Sequence, residues 1–63
     1  MNKDDRKSFY RFVESATNLE LETKLIQIHN LVLRLTETST IADANWMAKE
    51  IGLELDARKS IHA

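Results

Sequence analysis

The sequence predicts an all-α protein of three helices, and three observations support this fold class. The chain of 63 residues contains no proline and a single glycine, whereas β-rich folds need turn residues between their strands. Helix-forming residues dominate, and apolar residues recur every three or four positions in three segments. Short polar breaks separate these segments, which predicts one domain over residues 1–63 whose second and third helices form an antiparallel hairpin.

The first helix is predicted over residues 3–16. Asn2 can cap it, and Asp4 and Asp5 follow in the first turn, where the helix dipole favours acidic side chains. One face carries apolar residues at helical spacing, which are Phe9, Phe12, Val13 and Ala16. This pattern is typical of an amphipathic helix that packs on one side.

The second helix is predicted over residues 19–36 and carries two apolar rows. Thr17 and Glu20 have the spacing of a capping box, and Asn18 is the competing cap. Residues spaced alternately by four and three form a packing seam of Leu21, Leu25, Ile28, Val32 and Leu35. A second row, spaced by seven, consists of Leu19, Ile26 and Leu33. Because the two rows lie on different sides, we expect this helix to be covered on two sides.

The third helix is predicted over residues 41–58, with Ser39 or Thr40 as its cap. Gly52 either ends the helix or lies inside it where another backbone approaches closely, and the helix-forming residues after it favour continuation. The stripe that we expect to pack on the seam of the second helix consists of Ile41, Ala44, Ala48, Ile51 and Leu55. A row on another side consists of Ala42, Trp46, Leu53 and Ala57.

The small size of the chain predicts self-association. By surface scaling, a domain of 7.3 kDa buries only about 60% of the surface that its unfolded chain exposes. The sequence contains no cysteine, so no disulfide can supply the missing stability. We therefore expect the chain to complete its core as a homodimer, the commonest symmetric assembly.

Charge and hydropathy argue against several other classes of protein. The net charge of −1 provides no general attraction to nucleic acid or to anionic lipid. No apolar run approaches the ~18 residues that a membrane-spanning helix needs. The polar N-terminal residues are not followed by the apolar segment of a signal peptide. We therefore predict a cytoplasmic protein that does not associate with membranes.

No residue pattern predicts catalysis, a metal site or a cofactor. Glu20 and Glu22 are the nearest carboxylate pair, and residues two apart point in different directions on a helix. The sequence has no glycine-rich phosphate loop, and His29 and His62 do not have the spacing of a zinc motif. We therefore expect a protein that is not an enzyme and that needs no cofactor.

An interaction surface is the remaining candidate for a functional site. We predict an oligomer or partner interface formed by Leu19, Ile26, Leu33, His29, Trp46 and Leu53. His29 is either a pH-sensitive or ligand-binding group or, as we favour, a partly buried histidine at the interface edge. Trp46 is either an interface hot spot or a cover for the core edge. The predicted function is that of a small regulatory or adaptor-type protein, acting by helix-mediated protein–protein interaction and self-association.

The alternative function is DNA binding by a compact helix-turn-helix that uses the third helix. Ala48 and Gly52 are four residues apart, as an alanine and a glycine often are in such turns. Arg58 and Lys59 would then contact the nucleic acid. The register counts against this alternative, because it places Arg58 where a recognition helix normally buries an aliphatic residue. Two acidic residues would also lie near the DNA.

The string Leu53-Glu54-Leu55-Asp56, in a helix that follows one ending at Leu35, resembles the small helical-hairpin phosphatases of sporulation regulators. In that family a Ser-Gln pair usually precedes the string, and this chain has Ile51-Gly52 in that place. The resemblance covers only these few residues, so we assign no activity and no site residue from it.

Overall fold

The computed structural model describes residues 1–61, which form three α-helices. α1 spans Lys3–Ser15, α2 spans Asn18–Val32 and α3 spans Thr38–Ile61. No strand occurs within the described residues, so the predicted all-α class is confirmed. The Cα atoms extend over 39 × 25 × 15 Å. The longest helix, α3, is about 36 Å long at 1.5 Å per residue. In residues 1–61, no helix is both long enough and apolar enough to cross a membrane.

α2 and α3 make the main helix–helix contact of the fold and run in opposite directions. Residues 33–37 connect the end of α2 to the start of α3. At the other end of the hairpin, Nη1 of Arg58, late in α3, donates a hydrogen bond of 2.8 Å to Oδ1 of Asn18, at the start of α2. The predicted hairpin of the second and third helices is therefore present.

α1 packs on α3 and runs in the same direction. The amino group of Met1 lies 2.8 Å from the carboxylate of Asp43, near the start of α3. The carbonyl oxygen of Val13, near the end of α1, accepts a hydrogen bond of 3.0 Å from Arg58. α3 is thus the element on which both other helices pack.

The caps of the first two helices follow local sequence rules. Oδ1 of Asn2 accepts a hydrogen bond of 2.8 Å from the N–H group of Asp5, as predicted. Thr17 and Glu20 form the predicted capping box, in which Thr17 Oγ1 accepts from the Glu20 N–H group and the Glu20 carboxylate accepts from the Thr17 N–H group. Thr17, and not Asn18, is therefore the cap of α2.

α2 ends at Val32, before the predicted end at residue 36. The N–H groups of Arg34 and Leu35 bond to the carbonyl oxygens of Leu31 and Val32, three residues back. This spacing is that of a 3₁₀ turn, which tightens and closes the end of an α-helix. Leu35 therefore lies in the connection, although its side chain still packs on the core as the seam predicts.

α3 begins at Thr38, earlier than predicted. The carbonyl oxygen of Glu37 accepts the N–H group of Ile41, which is the first hydrogen bond of the helix. Ser39 and Thr40 consequently lie inside the first turn, so the prediction that one of them caps the helix was wrong. The hydroxyl of Ser39 instead donates a hydrogen bond of 2.8 Å to the carboxylate of Glu37.

Gly52 lies inside α3, which continues without a break to Ile61. The predicted continuation is confirmed. A Cβ atom added at Gly52 would meet no atom within 4 Å, so the suggested close approach of another backbone was wrong. The continuous helix also lacks the turn between Ala48 and Gly52 that the helix-turn-helix alternative requires.

The core lies between the three helices, and the side chains buried within the described residues are all apolar. Leu21 of α2 and Ile51 of α3 are completely buried and lie at its centre. The predicted seam and stripe thus face each other, and Phe9 and Val13 of α1 pack into the same core. The buried residues are Phe9, Val13, Ala16, Leu21, Ile28, Ala44 and Ile51.

Candidate interaction surface

The second apolar row of α2, called here the outer row, consists of Leu19, Ile26 and Leu33 and faces solvent. These side chains are 73%, 61% and 84% exposed. Leu33 is the C-terminal cap of α2 and keeps a helical backbone, so the row continues to this residue. At 100° per residue, the row lies about 140–160° around the helix from the buried Leu21 and Ile28. A helix that buries one face against α3 cannot bury the opposite face against the same neighbour, so α3 leaves the outer row uncovered. Leu19, at the start of the row, borders a groove that Phe12 of α1 also lines.

Polar side chains border the outer row on both sides. Glu22 and His29 lie along one side and Thr23 and Asn30 along the other, all within about 60° of the row. All four side chains are exposed. His29 is exposed in the single chain, so it could reach the partly buried state that we favoured only in contact with a second molecule. Glu22, Thr23 and Asn30 were not predicted as site residues, although their spacing of three or four from Ile26 marks them as its neighbours.

Trp46 packs α1 against α3 and does not belong to the outer row. The ring centroids of Phe9 and Tyr10 each lie 5.5 Å from that of Trp46, and Tyr10 meets the indole edge to face. The guanidinium carbon of Arg6 lies 5.3 Å from the centroid, in a cation–π contact. Of the two roles left open by the sequence, this placement matches a cover for the core edge.

Leu53 lies on a different surface from the outer row. It is 54% exposed and borders a groove of about 210 Å³ between α1 and α3. The groove combines apolar side chains with three glutamates, and its lining includes no basic residue. The lining residues are Tyr10, Val13, Glu14, Glu50, Leu53, Glu54 and Ala57.

Arg58 is engaged within the fold. Its Nε atom donates a hydrogen bond of 2.9 Å to the carboxylate of Glu54, one turn earlier in α3. The two Nη atoms donate to Asn18 at 2.8 Å and to the carbonyl oxygen of Val13 at 3.0 Å. Arg58 thus links all three helices, and this geometry does not fit its predicted role as a nucleic-acid contact. Lys59 is exposed.

The acidic and histidine side chains of the described residues do not gather into a metal-binding cluster. Residues 1–61 contain no group of three or more histidine, aspartate or glutamate side chains that could hold a metal ion. The pKa of Glu20 is lowered from the usual 4.5, because the backbone N–H group and the side chain of Thr17 hydrogen-bond its carboxylate. This shift belongs to the helix cap. His62, the second histidine considered for a metal, lies outside the described residues.

Comparisons of this chain with protein-family models, with curated proteins and with solved structures found no match. The candidate residues are therefore identified by their exposure and their contacts in this chain. Leu19, Ile26 and Leu33 form one surface with their polar flanks, while Leu53 belongs to the groove between α1 and α3.

Proposed function

We propose that this protein is a small regulatory or adaptor-type module that acts by helix-mediated protein–protein interaction and associates with a second copy of itself through the outer row of α2. The observation that carries the proposal is the exposure of Leu19, Ile26 and Leu33 on a helix whose opposite face is buried. Exposed leucines occur singly on many proteins, whereas a row along several helical turns marks an interaction face.

The surface area of the chain supports a second copy as the first occupant of this face. The accessible surface is 4835 Å², against about 4,200 Å² for a typical monomer of this mass. The excess of about 600 Å² per chain would give an interface of about 1,200 Å² in total, which is the lower end of the range for specific association.

Sedimentation equilibrium of the wild-type protein and two variants tests self-association. We expect the wild type to form dimers in a concentration-dependent manner and Ile26→Lys to remain monomeric, because the variant places a charge in the centre of the outer row. Leu53→Lys is the matched control, since it introduces the same charge at an exposed position of another surface. Circular dichroism establishes that both variants keep the helical fold. A monomeric wild type, or equal weakening by both variants, would contradict the proposal.

We assign the binding of a partner protein to the groove that Leu53 borders. Its apolar side chains suit an amphipathic helix, and Glu14, Glu50 and Glu54 suit a partner helix that carries lysine or arginine beside its apolar face. Arg58 already neutralises Glu54 in part, so Glu14 and Glu50 carry most of the attraction. This groove and the outer row lie on different surfaces, so a dimer would present two grooves.

Fluorescence anisotropy with a labelled model peptide, an amphipathic helix of leucine and lysine, tests the groove. We expect Glu50→Lys to weaken binding about tenfold, because an attractive charge becomes a repulsive one next to the apolar anchor. Asp56→Lys is the matched control, since it makes the same charge change at an exposed residue of α3 outside the groove. Equal weakening by the two variants would show only general charge attraction and would remove the groove from the proposal.

A further inference from the structure

We infer that two copies of this chain associate through an antiparallel pair of α2 helices, with the two-fold axis passing close to Ile26. The inference rests on the proposed self-association and adds its geometry. A dimer with two-fold symmetry needs a self-complementary surface, in which each residue meets a counterpart that meets it in return. A parallel pair would match the outer row equally well, because each apolar residue would then meet its own copy. The polar flanks therefore decide the direction of the pair.

The apolar residues of the outer row are symmetric about Ile26. Leu19 lies seven residues before Ile26 and Leu33 lies seven residues after it. In an antiparallel pair, Leu19 of one copy faces Leu33 of the other, and the two Ile26 side chains meet at the axis. Each of the three exposed residues is then covered by an equally apolar residue, which buries the row along its whole length.

The side of the row that carries Glu22 and His29 completes the match. In an antiparallel pair of helices, a given side of one helix meets the same side of the other. Because the order along the chain is reversed, Glu22 of each copy faces His29 of the other. A histidine N–H group can donate to a carboxylate in either protonation state, so this contact forms twice in the dimer.

The opposite side of the row shows the same symmetry. Thr23 lies three residues before Ile26 and Asn30 lies four residues after it, so each faces the other across the antiparallel pair. Their hydroxyl and amide groups have both donors and acceptors and can hydrogen-bond. In a parallel pair, the side with Glu22 and His29 would meet the side with Thr23 and Asn30 instead. Glu22 would then not meet the N–H donor of His29, and His29 would not meet the carboxylate acceptor of Glu22.

Cross-linking tests the direction of the pair. The natural chain has no cysteine, so Leu19→Cys and Leu33→Cys each introduce a single thiol. The two variants are mixed, one of them labelled with ¹⁵N, and treated with a short bifunctional thiol reagent before mass spectrometry. We expect the mixed cross-link between positions 19 and 33 to predominate. Cross-links of position 19 to itself and of position 33 to itself would indicate a parallel pair and overturn the inference.

Charge exchange tests the contact between Glu22 and His29. Glu22→Lys removes the attraction at both symmetry-related contacts, and His29→Glu places two carboxylates opposite each other. We expect each variant alone to dimerise about tenfold more weakly than the wild type.

A mixture of the two charge variants provides the matched control. Its mixed dimer brings the introduced lysine of one copy opposite the introduced glutamate of the other, while the native Glu22 and His29 face each other at the second contact. We therefore expect mixing to restore affinity. Dimerisation that is unchanged in each variant, or not restored in the mixture, would overturn this pairing.

The outcomes separate this inference from the proposed function. A dimer that gives only the cross-links of a parallel pair, or that responds to neither charge exchange, overturns the antiparallel geometry and leaves self-association through the outer row in place. A wild type that stays monomeric in sedimentation overturns both. The mixed cross-link together with restored affinity of the charge-exchanged mixture supports both.

Discussion

Nη2 of Arg58 donates a hydrogen bond of 3.0 Å to the main-chain carbonyl oxygen of Val13, 45 residues earlier in the chain. The last four carbonyl groups of a helix have no partner within that helix, and Val13 lies in the last turn of α1. A cationic side chain is also favoured at the negative end of the helix dipole. The contact therefore satisfies an open carbonyl group and fixes the end of α1 on α3.

The first prediction concerns the stability that Arg58 contributes. We expect Arg58→Ala to lower the free energy of unfolding by about 1–3 kcal/mol, because it removes the hydrogen bonds of a charged group and leaves the Val13 carbonyl without a partner. Arg58→Lys should recover only part of the loss, since an ammonium group lacks the fork of the guanidinium. Urea denaturation at one fixed protein concentration measures the change, because self-association also affects the apparent stability.

Lys59→Ala is the control for this series. Lys59 is exposed, and we expect its replacement to change the stability by less than about 0.5 kcal/mol. Equal stability of the Arg58→Ala and Lys59→Ala variants would show that Arg58 does not hold the three helices together.

The second prediction concerns Gly52. Glycine in the interior of a helix costs stability, because glycine loses more conformational freedom on folding than any other residue. At Gly52 there is room for a side chain, since an added Cβ atom would meet no atom within 4 Å. We expect Gly52→Ala to raise the free energy of unfolding by about 0.5–1 kcal/mol. Ala57→Gly, at an exposed position of the same helix, should lower it by a similar amount. Thermal denaturation checks both, and a loss of stability in Gly52→Ala would contradict the open surroundings of this residue.

The third prediction contrasts two leucines, one near the start of α2 and one at its C-terminal cap. Leu21 is completely buried, whereas Leu33 is 84% exposed. We expect Leu21→Ala to cost about 2–5 kcal/mol, which is enough to unfold much of so small a protein. Leu33→Ala should change the stability of the monomer by less than about 0.5 kcal/mol and instead weaken the dimer.

Circular dichroism at low concentration and sedimentation at high concentration distinguish the effects of the two leucine variants. The first measures the stability of the monomer, and the second measures the strength of the dimer. A large loss of monomer stability in Leu33→Ala would mean that the outer row is buried within one chain.

The fourth prediction concerns the pH dependence of the α2 cap. Hydrogen bonds from Thr17 lower the pKa of Glu20 in the folded state, so the ionised carboxylate stabilises the fold. This contribution is fully present above the ordinary value of 4.5 and is lost as the pH falls through the lower folded value. We expect Glu20→Gln to melt at a lower temperature than the wild type near pH 7, and the difference to shrink in acid.

Melting curves between about pH 2 and pH 7 check the cap prediction. Glu14→Gln, which removes a carboxylate from outside the cap, is the control for the overall change in charge. A melting difference between Glu20→Gln and the wild type that stays constant down to the lowest pH would show that the carboxylate is not the stabilising group.

Local signals in the sequence predicted the number of helices, two of the caps and the buried faces. Asn2 and the Thr17–Glu20 pair act within one turn, so their role depends only on neighbouring residues. The seam through Leu21 and Ile28 was recognisable because burial follows the helical period. The same periodicity places the outer row on the side of α2 opposite the seam, so its exposure follows from the packing of the seam on α3.

The long-range contacts of single side chains could not be predicted from the sequence, although the packing of α2 on α3 could. Arg58 was interpreted as a nucleic-acid contact of the alternative function, because the one local signal of its hydrogen bonding is its spacing of four residues from Glu54. Its contacts with Asn18 and Val13 depend on how three helices meet. In the same way, Trp46 lies in a row with Leu53 by periodicity, yet the packing of α1 covers one of them and leaves the other exposed.

A dilution series followed by ¹H–¹⁵N NMR tests the central claim most directly, because it reports both self-association and the surface that carries it. We expect the amide signals that shift with concentration to cluster on the outer row and its flanks, from Leu19 to Leu33, while those around Leu53 stay constant. Spectra that do not change with concentration, or changes confined to the groove between α1 and α3, would contradict self-association through the outer row of α2.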